Sequence, residues 1–183
     1  MHPARKRAAT HLDVLATDHP LHAPLSDALD CAGGLTPAFV DLLPPVLECT
    51  GSTFGFLAEV VYATPQRPYL HSHAVVDIYK PNYTIRDIVT NLNFHNLDTL
   101  NGAIMTSRAP VIANEPASDP RSGGVPAGHR PIQSFLGLPF LVDDQLVGAC
   151  AMANKSGGYA NADVELCQPL CEIGGLLITA ARL

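Results

Sequence analysis

The apolar positions of the chain change period several times, which predicts helices interleaved with strands. The segment "TPAFVDLLPPVLECTGS" has helical spacing, with Thr36 as N-cap and Pro37 at the first helical position. Its apolar face comprises Phe39, Leu42, Leu43, Val46 and Leu47. Pro44 and Pro45 lack backbone donors, so they predict a kink or a split in this helix.

Runs of β-branched and aromatic residues predict five strands. "TFGFLAEVVY" and "YLHSHAVVDIY" follow each other closely and predict a hairpin. "APVIANEP" predicts a short strand that proline ends. "SFLGLPFLV" and "LVGACAMAN" are joined by Asp143-Asp144-Gln145, a connection of hairpin length, and predict a second hairpin.

Three further helical segments are predicted between and after these strands. Thr84 and Asp87 form a capping-box pattern, and a short apolar face follows at Ile85, Ile88, Val89 and Leu92. A helical turn is expected from Leu100 to Met105. The chain closes with a helix from about Ala162, capped by Asn161, in which Pro169 predicts a bend.

The closing helix carries two apolar stripes on different faces. One comprises Val164, Cys167, Cys171, Gly174, Ile178 and Ala181, and the other Leu166, Ile173, Leu176 and Ala180. A helix with a single buried face needs only the first stripe. The second packs either on an N-terminal helix of the same chain or across a two-fold homodimer, and we favour the homodimer.

The order helix, strand pair, helical insertion, strands and helix predicts an α+β fold, a sheet with helices packed on it. Residues 1–22 have no period and predict a flexible N-terminal tail, whereas residues 23–183 form one domain with a weak first helix near Leu25.

Composition excludes several classes of function. Hydrophobic residues make up 47% of the chain and charged residues 15%, as in a folded globular protein. The net charge of −6 argues against a nucleic-acid partner. Without a long apolar run or a signal peptide, we expect no membrane span and a cytoplasmic location. Five cysteines without a CxxC pair are typical of reduced thiols.

Four collinear segments carry a resemblance to a known family. They are "TGSTFGFLAEVVY", "NFHNLDTLNGAIMTSRAPVIANEPASDPRSGG", "VPAGHRPIQSFLGLPF" and "LVGACAMANKSGGYANADVELCQPL". Together, over roughly Leu35 to Leu183, they resemble the GAF domains of bacterial sensor histidine kinases and related signalling proteins. The resemblance implies an antiparallel sheet of about six strands, with the terminal helices on one face and, on the other, a ligand pocket formed with short helices and loops.

The segment "NKSGGYANADVE" looks like a signature of cyclic-nucleotide-binding GAF domains, with Tyr159 where phenylalanine is usual. The resemblance implies a structural ion pair between Lys155 and Asp163 that fastens a strand to the last helix. It does not by itself indicate a cyclic nucleotide.

A loop rich in proline and glycine, "ASDPRSGGVPAGHRPIQSFLGLP", lies where the resemblance places a lid over the pocket. Arg121 offers a planar fork to a carboxylate or phosphate, and His129 a titratable donor. The alternative is a structural loop whose arginines face water. The expected ligand-binding residues are Asn96, Asp98, Thr99, Asn114, Asp119, Arg121, His129, Ser134 and Phe135.

Other chemistry has weaker support in the sequence. Asn96, Asp98 and Thr99 precede a short helix, where they either bind an anion or cap the helix, and capping is favoured. His71 and His73 share one face of a strand and could bind a transition metal together with His95 or His129. No carboxylate or cysteine has ligand spacing to them, so no metal is expected. No catalytic constellation is recognisable, and the cofactor is unknown.

Three functions follow as hypotheses. The first is a sensory domain that binds a small polar or anionic ligand and signals through its terminal helices to an output domain or protein, as in two-component systems. The second is a ligand-free scaffold for dimerisation and interaction. The third is a cysteine-dependent reductase of the free methionine sulfoxide type, using Cys150, Cys167 or Cys171.

Overall fold

A computed structural model of the chain describes residues 2–182, so Met1 and Leu183, the outer ends of the predicted tail and domain, lie outside the described residues. The helices are α1 (Pro3–Val14), α2 (His22–Asp30), α3 (Leu35–Thr50), α4 (Leu100–Ser107) and α5 (Asn161–Ala181). The strands are β1 (Phe54–Thr64), β2 (Arg67–Val76), β3 (Ile88–Val89), β4 (Asn93–Phe94), β5 (Val111–Ala113), β6 (Phe135–Val142) and β7 (Gln145–Ala153).

The strands form one open antiparallel sheet in the order β3-β2-β1-β7-β6-β5, with β4 also paired to β2. Both predicted hairpins are confirmed, as β1–β2 and β6–β7. Helices α1, α2, α3 and α5 share the larger apolar core, and α4 belongs to a second, smaller one. The expected α+β architecture, with a layer of terminal helices against a sheet of six to seven strands, is confirmed.

The centre of the larger core is Phe140 on β6, whose side chain is fully buried. Two glycines make room for its ring, because a Cβ atom added at Gly148 or Gly174 would lie 3.1 Å from a ring carbon. A Cβ atom added at the neighbouring Gly175 would lie 3.0 Å from Val142 Cγ2. Gly148 is also constrained by the backbone, since an added Cβ would lie 2.6 Å from the Ala58 carbonyl oxygen. The tight fit between β6, β7 and α5 therefore depends on these small residues.

Helix α3 runs without interruption across Pro44 and Pro45, so the predicted split is wrong. The buried residues of this helix, Pro44 among them, pack into the larger core, and that packing outweighs the two backbone hydrogen bonds that the prolines cannot make. The helix begins at Leu35 after Gly34, whose φ of 92° suits glycine. Thr36 is therefore not the N-cap.

Residues 84–92 form turns and the short strand β3 in place of the predicted helix. The capping-box contact is made, because the Thr84 backbone N–H donates to Asp87 Oδ2 at 2.7 Å. It closes a turn that is not continued. Ile88 and Val89 pair with the end of β2, and this pairing with the sheet edge overrides the local helical pattern.

Residues 3–14 form helix α1, which packs along α5, so this part of the chain is not the flexible tail that we expected. Ala4 and Ala8 are buried in the interface, and alanine contributes little to a hydrophobic pattern although it lets helices approach closely. Arg7 forms a two-pronged ion pair with Asp143, at 2.9 and 3.1 Å. The domain boundary at residue 23 stays a prediction.

Helix α5 begins after Ala160, whose backbone N–H donates to Asp163 Oδ2 at 2.9 Å, and so Asn161 is not its cap. The helix continues through Pro169. Two members of its second apolar stripe, Ile173 and Leu176, are buried in the core that α1 shares, whereas Leu166 and Ala180 are partly exposed. By length and composition α5 could also cross a membrane, with 21 residues and a mean hydropathy of 1.3 over its most apolar window, which the sequence analysis did not expect.

Candidate ligand-binding pocket

A cavity of about 810 Å³ lies between the sheet, the N-terminal end of α4 and the loop of residues 116–132. Its lining is mainly apolar and includes backbone and side chains from β1, β2, β3, β4, β6 and β7. The aromatic residues that line it are Phe54, Phe56, Tyr79, Phe94, His95, His129 and Phe135. Its volume falls in the range that small-molecule sites occupy in proteins.

Four of the nine expected ligand-binding residues line this cavity, namely Asn96, Thr99, His129 and Phe135. Asp98, Asn114, Asp119, Arg121 and Ser134 do not. Thr99 also caps α4, since its hydroxyl accepts a hydrogen bond from the Gly102 backbone N–H at 3.1 Å. Thr99 therefore both caps α4 and lines the cavity.

Arg121 is held by its own loop and not by the cavity. Its Nε donates to Asp119 Oδ1 at 2.9 Å, and its Nη2 donates to Asp119 Oδ2 at 2.7 Å and to the Ile112 carbonyl at 2.9 Å. The hydrogen bond from Arg121 lowers the pKa of Asp119 to about 2. The planar fork that we expected to meet a ligand carboxylate thus meets a carboxylate of the protein.

Asn114 and Ser134 hold the segment between β7 and α5. The Asn114 side chain donates to the Tyr159 carbonyl at 2.9 Å and accepts from the Tyr159 backbone N–H at 2.8 Å. Ser134 Oγ donates to the Lys155 carbonyl at 3.1 Å. In the same segment, Lys155 Nζ lies 2.5 Å from Asp163 Oδ1 and ties the end of β7 to α5. These residues support the site from outside it.

His129 lines the cavity, and its contact with the neighbouring carbonyl assigns the position of the ring proton. Its Nδ1 lies 2.6 Å from the Arg130 carbonyl, and because a carbonyl only accepts, Nδ1 must carry the proton. In the neutral ring, Nε2 is then left as an acceptor. The ring packs edge-on against Phe54 and Tyr79, with centroid distances of 6.0 and 6.2 Å.

Asp77 is a lining residue that the sequence analysis did not single out. Its Oδ1 accepts from the Tyr79 backbone N–H at 3.2 Å. Within residues 2–182, no Lys, Arg or His side chain forms an ion pair with it. In the sequence, Asp77 follows directly after the apolar run of β2. A polar residue at that position is typical of the end of any strand, so it did not indicate a cavity.

The two histidines of β2 are engaged with polar side chains. His71 Nδ1 lies 2.8 Å from Asn93 Oδ1, and His73 Nε2 lies 3.1 Å from Glu59 Oε1. Among the described residues, no group of three His, Cys, Asp or Glu side chains is placed to hold a metal ion.

The Glu59 carboxylate is the centre of a polar network that reaches the end of α5. It accepts from His73 through Oε1 and from Arg182 Nε through Oε2, the latter at 3.0 Å. Thr36 Oγ1 lies 2.7 Å from His73 Nδ1. The hydrogen bond from His73, assisted by Arg182 and opposed by burial, lowers the pKa of Glu59.

The thiols lie in surroundings that disfavour thiolate. Burial raises the pKa of Cys49 to about 11 and raises those of Cys150 and Cys167 well above their ordinary value. Because the thiolate is the reactive form, these cysteines are poor nucleophiles in the folded protein.

We therefore expect iodoacetamide at pH 8 to leave Cys150 and Cys167 unmodified in the native protein, and to modify both in urea. Cys31, which is partly exposed, serves as the internal control. Peptide mass spectrometry measures each site. Alkylation of Cys150 or Cys167 at the rate of Cys31 under native conditions would contradict the expectation.

Comparison with known proteins decides the family. The family model of the GAF domain matches residues 46–179. The chain belongs to the GAF domain family. GAF domains are generally regulatory domains that bind small molecules in signalling proteins, and the cavity of this GAF domain lies on the sheet face where the resemblance implied a pocket.

Solved structures share its fold at low identity. The GAF domain of a phosphoenolpyruvate-protein phosphotransferase from Coxiella burnetii has a TM-score of 0.70 and 16% identity, with 96% of each chain covered. The corresponding domain from Acinetobacter has a TM-score of 0.68 and 17% identity, covering 90% of this chain and 93% of that one.

An enzyme with the same fold is also similar to this GAF domain. Free methionine-R-sulfoxide reductase from Neisseria meningitidis, solved in complex with its substrate, has a TM-score of 0.64 and 12% identity, covering 96% of this chain and 92% of that one. The fold thus serves both regulation and catalysis, and the choice between them depends on the residues of the site.

Proposed function

We propose that this GAF domain is a cytoplasmic sensory module whose cavity binds a small molecule and whose terminal helices pass the occupancy to a signalling output. The observation that carries the proposal is the cavity of about 810 Å³, which is lined by aromatic side chains and by a few polar groups. Such a lining, apolar with a few convergent polar atoms, is typical of ligand sites.

We propose a ligand class different from the small polar or anionic molecule that the sequence favoured. Arg121, which was to hold the anion, is bound to Asp119 and the Ile112 carbonyl. The mainly apolar lining favours a ligand with an apolar body whose polar groups meet Asn96, His129 and their neighbours.

Transmission is proposed to follow the polar groups between the cavity and α5. Asn93 lines the cavity and contacts His71, whose ring lies 5.4 Å from that of His73. His73 binds Glu59, and Glu59 binds Arg182 at the end of α5. We propose that a ligand that shifts β4 acts on the C-terminal helix through this series of neighbouring side chains.

The proposal includes a homodimer formed through the terminal helices, with a smaller contact surface than the sequence suggested. Since α1 packs on α5 and Ile173 and Leu176 of the second stripe are buried within the chain, we propose that a second copy contacts the outer side of α1 and its exposed end, where Val14 is 81% exposed. The mass of the native protein measures the stoichiometry directly.

The proposed cavity can be blocked at its mouth. Ala117 is exposed and lines the cavity, whereas its exposed neighbour Ser118 does not. We expect Ala117→Trp to reduce the occupancy of a co-purified or added ligand at least about tenfold, because an indole at the mouth competes for the same space. Native mass spectrometry beside the denatured mass measures the occupancy, and Ser118→Trp is the matched control.

Two outcomes would decide against the sensory function. If neither a non-covalent adduct nor a thermal shift with a metabolite library were found, the ligand-free scaffold would be favoured. If replacing Cys150, Cys167 and Cys171 together abolished a detected methionine sulfoxide reduction, the enzyme would be favoured. The raised thiol pKa values of Cys150 and Cys167 argue against the second outcome.

A further inference from the structure

The residues that line the cavity include one acidic side chain and no lysine or arginine. The acidic side chain is that of Asp77. The surrounding cations each have a partner elsewhere: Arg121 pairs with Asp119, and Lys80 with Asp87. Arg130, which borders an adjoining cleft, lies over the Tyr83 ring at 5.4 Å from its centroid, and its Nε donates to the Ile78 carbonyl at 3.4 Å. The lining therefore attracts positive charge and offers none to an anion.

The aromatic side chains of the cavity suit the same charge. Phe54, Phe56, Tyr79 and Phe94 line it, and the faces of such rings are the negative ends of their quadrupoles. The Phe56 and Phe94 rings are stacked at 4.9 Å and form one continuous apolar wall. A cation positioned over an aromatic face is attracted to it, most strongly where water is excluded.

Two polar residues of the lining, Asp77 and His129, offer hydrogen-bond acceptors, while Asn96, Asn101, Thr99 and Ser122 also carry donors. His129 Nε2 is an acceptor in the neutral ring because Nδ1 donates to the Arg130 carbonyl. Asp77 Oδ1 is used by the Tyr79 backbone N–H, and within residues 2–182 no donor is bonded to Oδ2. Two acceptors beside an aromatic wall match the N–H groups of a protonated amine.

We propose that the ligand of this cavity is a cationic amine carried on an aromatic or other apolar body. The inference rests on the sensory function proposed above and adds the charge of the ligand to it. The apolar body fills the space against Phe56 and Phe94, and the ammonium group is placed between Asp77 and His129. An anionic ligand of the same shape meets the Asp77 carboxylate, and no lysine or arginine among the lining residues compensates for it.

Three probes with one ring system and different charges test the proposal: tryptamine, which is cationic, tryptophol, which is neutral, and indole-3-acetate, which is anionic. We expect tryptamine to bind the wild-type protein about tenfold or more tightly than indole-3-acetate at low ionic strength, with tryptophol between them. Isothermal titration calorimetry at pH 8 measures the three Kd values.

Asp77→Asn should remove the preference for tryptamine while leaving tryptophol binding unchanged, because the amide keeps the acceptor for the Tyr79 N–H. Asp98→Asn is the matched control, since it makes the same change of net charge at an exposed aspartate outside the lining. A preference for tryptamine that Asp77→Asn removes and Asp98→Asn leaves intact supports the inference.

The outcomes separate the charge of the ligand from the function of the site. If all three probes bind equally well, or if indole-3-acetate binds best, and Ala117→Trp blocks that binding, the inference about charge is overturned and the sensory cavity stands. If no probe binds, the inference is overturned as well. The native adduct and its response to Ala117→Trp then decide separately whether the cavity is a ligand site.

Discussion

Phe140→Ala is expected to lower the free energy of unfolding by about 3–5 kcal/mol, the largest effect of any single substitution considered for this GAF domain. The Phe140 side chain is fully buried at the contact of β6 with α5. Removing its ring leaves a void lined by Gly148 and Gly174, which have no side chains with which to fill it. The backbone of β7 and α5 would have to move to close the gap.

Urea denaturation followed by far-UV circular dichroism measures this loss. The neighbouring residue provides the control, because Leu141 points out of the same strand and is 40% exposed. We expect Leu141→Ala to cost no more than about 1 kcal/mol. Equal losses for the two variants would show that β6 is not packed as described.

Glu59→Ala is expected to cost about 2–3 kcal/mol at pH 7, because it leaves the buried His73 Nε2 without its carboxylate partner and removes the ion pair of Arg182, which keeps only its hydrogen bonds to the Val60 and Val147 carbonyls. The Glu59 side chain is 18% exposed and that of His73 10%. Glu48→Ala is the matched control, since the Glu48–Arg86 pair is 52% and 72% exposed and we expect it to contribute no more than about 0.5 kcal/mol.

The difference in the free energy of unfolding between wild type and Glu59→Ala should also depend on pH. The pKa of Glu59 is lowered in the folded protein, mainly by the hydrogen bond from His73. The carboxylate therefore contributes its stability fully above the ordinary glutamate pKa of about 4.3 and loses it as the pH falls through the lower folded value. Urea titrations from pH 7 downward should show the gap shrinking below that range, and a gap that widens would contradict the assignment.

The parts of the fold that sequence analysis predicted are those whose pattern is local. Both hairpins carry β-branched and aromatic runs with short connections, and the helix-turn at Leu100–Met105 lies within α4. The predictions were wrong where contacts between residues far apart in the sequence determine the local structure. Ile88 and Val89 have a helical spacing but pair with β2, and the alanines of α1 carry no hydrophobic period although α5 buries them.

The residues of the candidate site were also predicted only in part, because contacts between distant segments determine which side chains line the cavity. Arg121 was expected in the pocket because its residue type and loop suggested an anion site, but a turn at Asp119 brings the two side chains together. Asp77 was missed because nothing in "AVVDIY" distinguishes a carboxylate at a cavity wall from one at an ordinary strand end. Which charges reach a cavity is decided by the folded backbone, and single residue types do not reveal it.

The packing of α1 against α5 also has a mechanical consequence. His11 contacts Glu172, Arg7 contacts Asp143 in the β6–β7 turn, and Arg182 contacts Val147 just beyond that turn, so the start of α1 and the end of α5 lie at the same end of the domain. A pulling force applied between these two helix ends would act first on the contacts of Arg7 and Arg182 with the β6–β7 hairpin, and would then peel α1 away from α5 one contact at a time. These few polar contacts, and not the apolar core, would therefore set the force at which the two helices begin to separate.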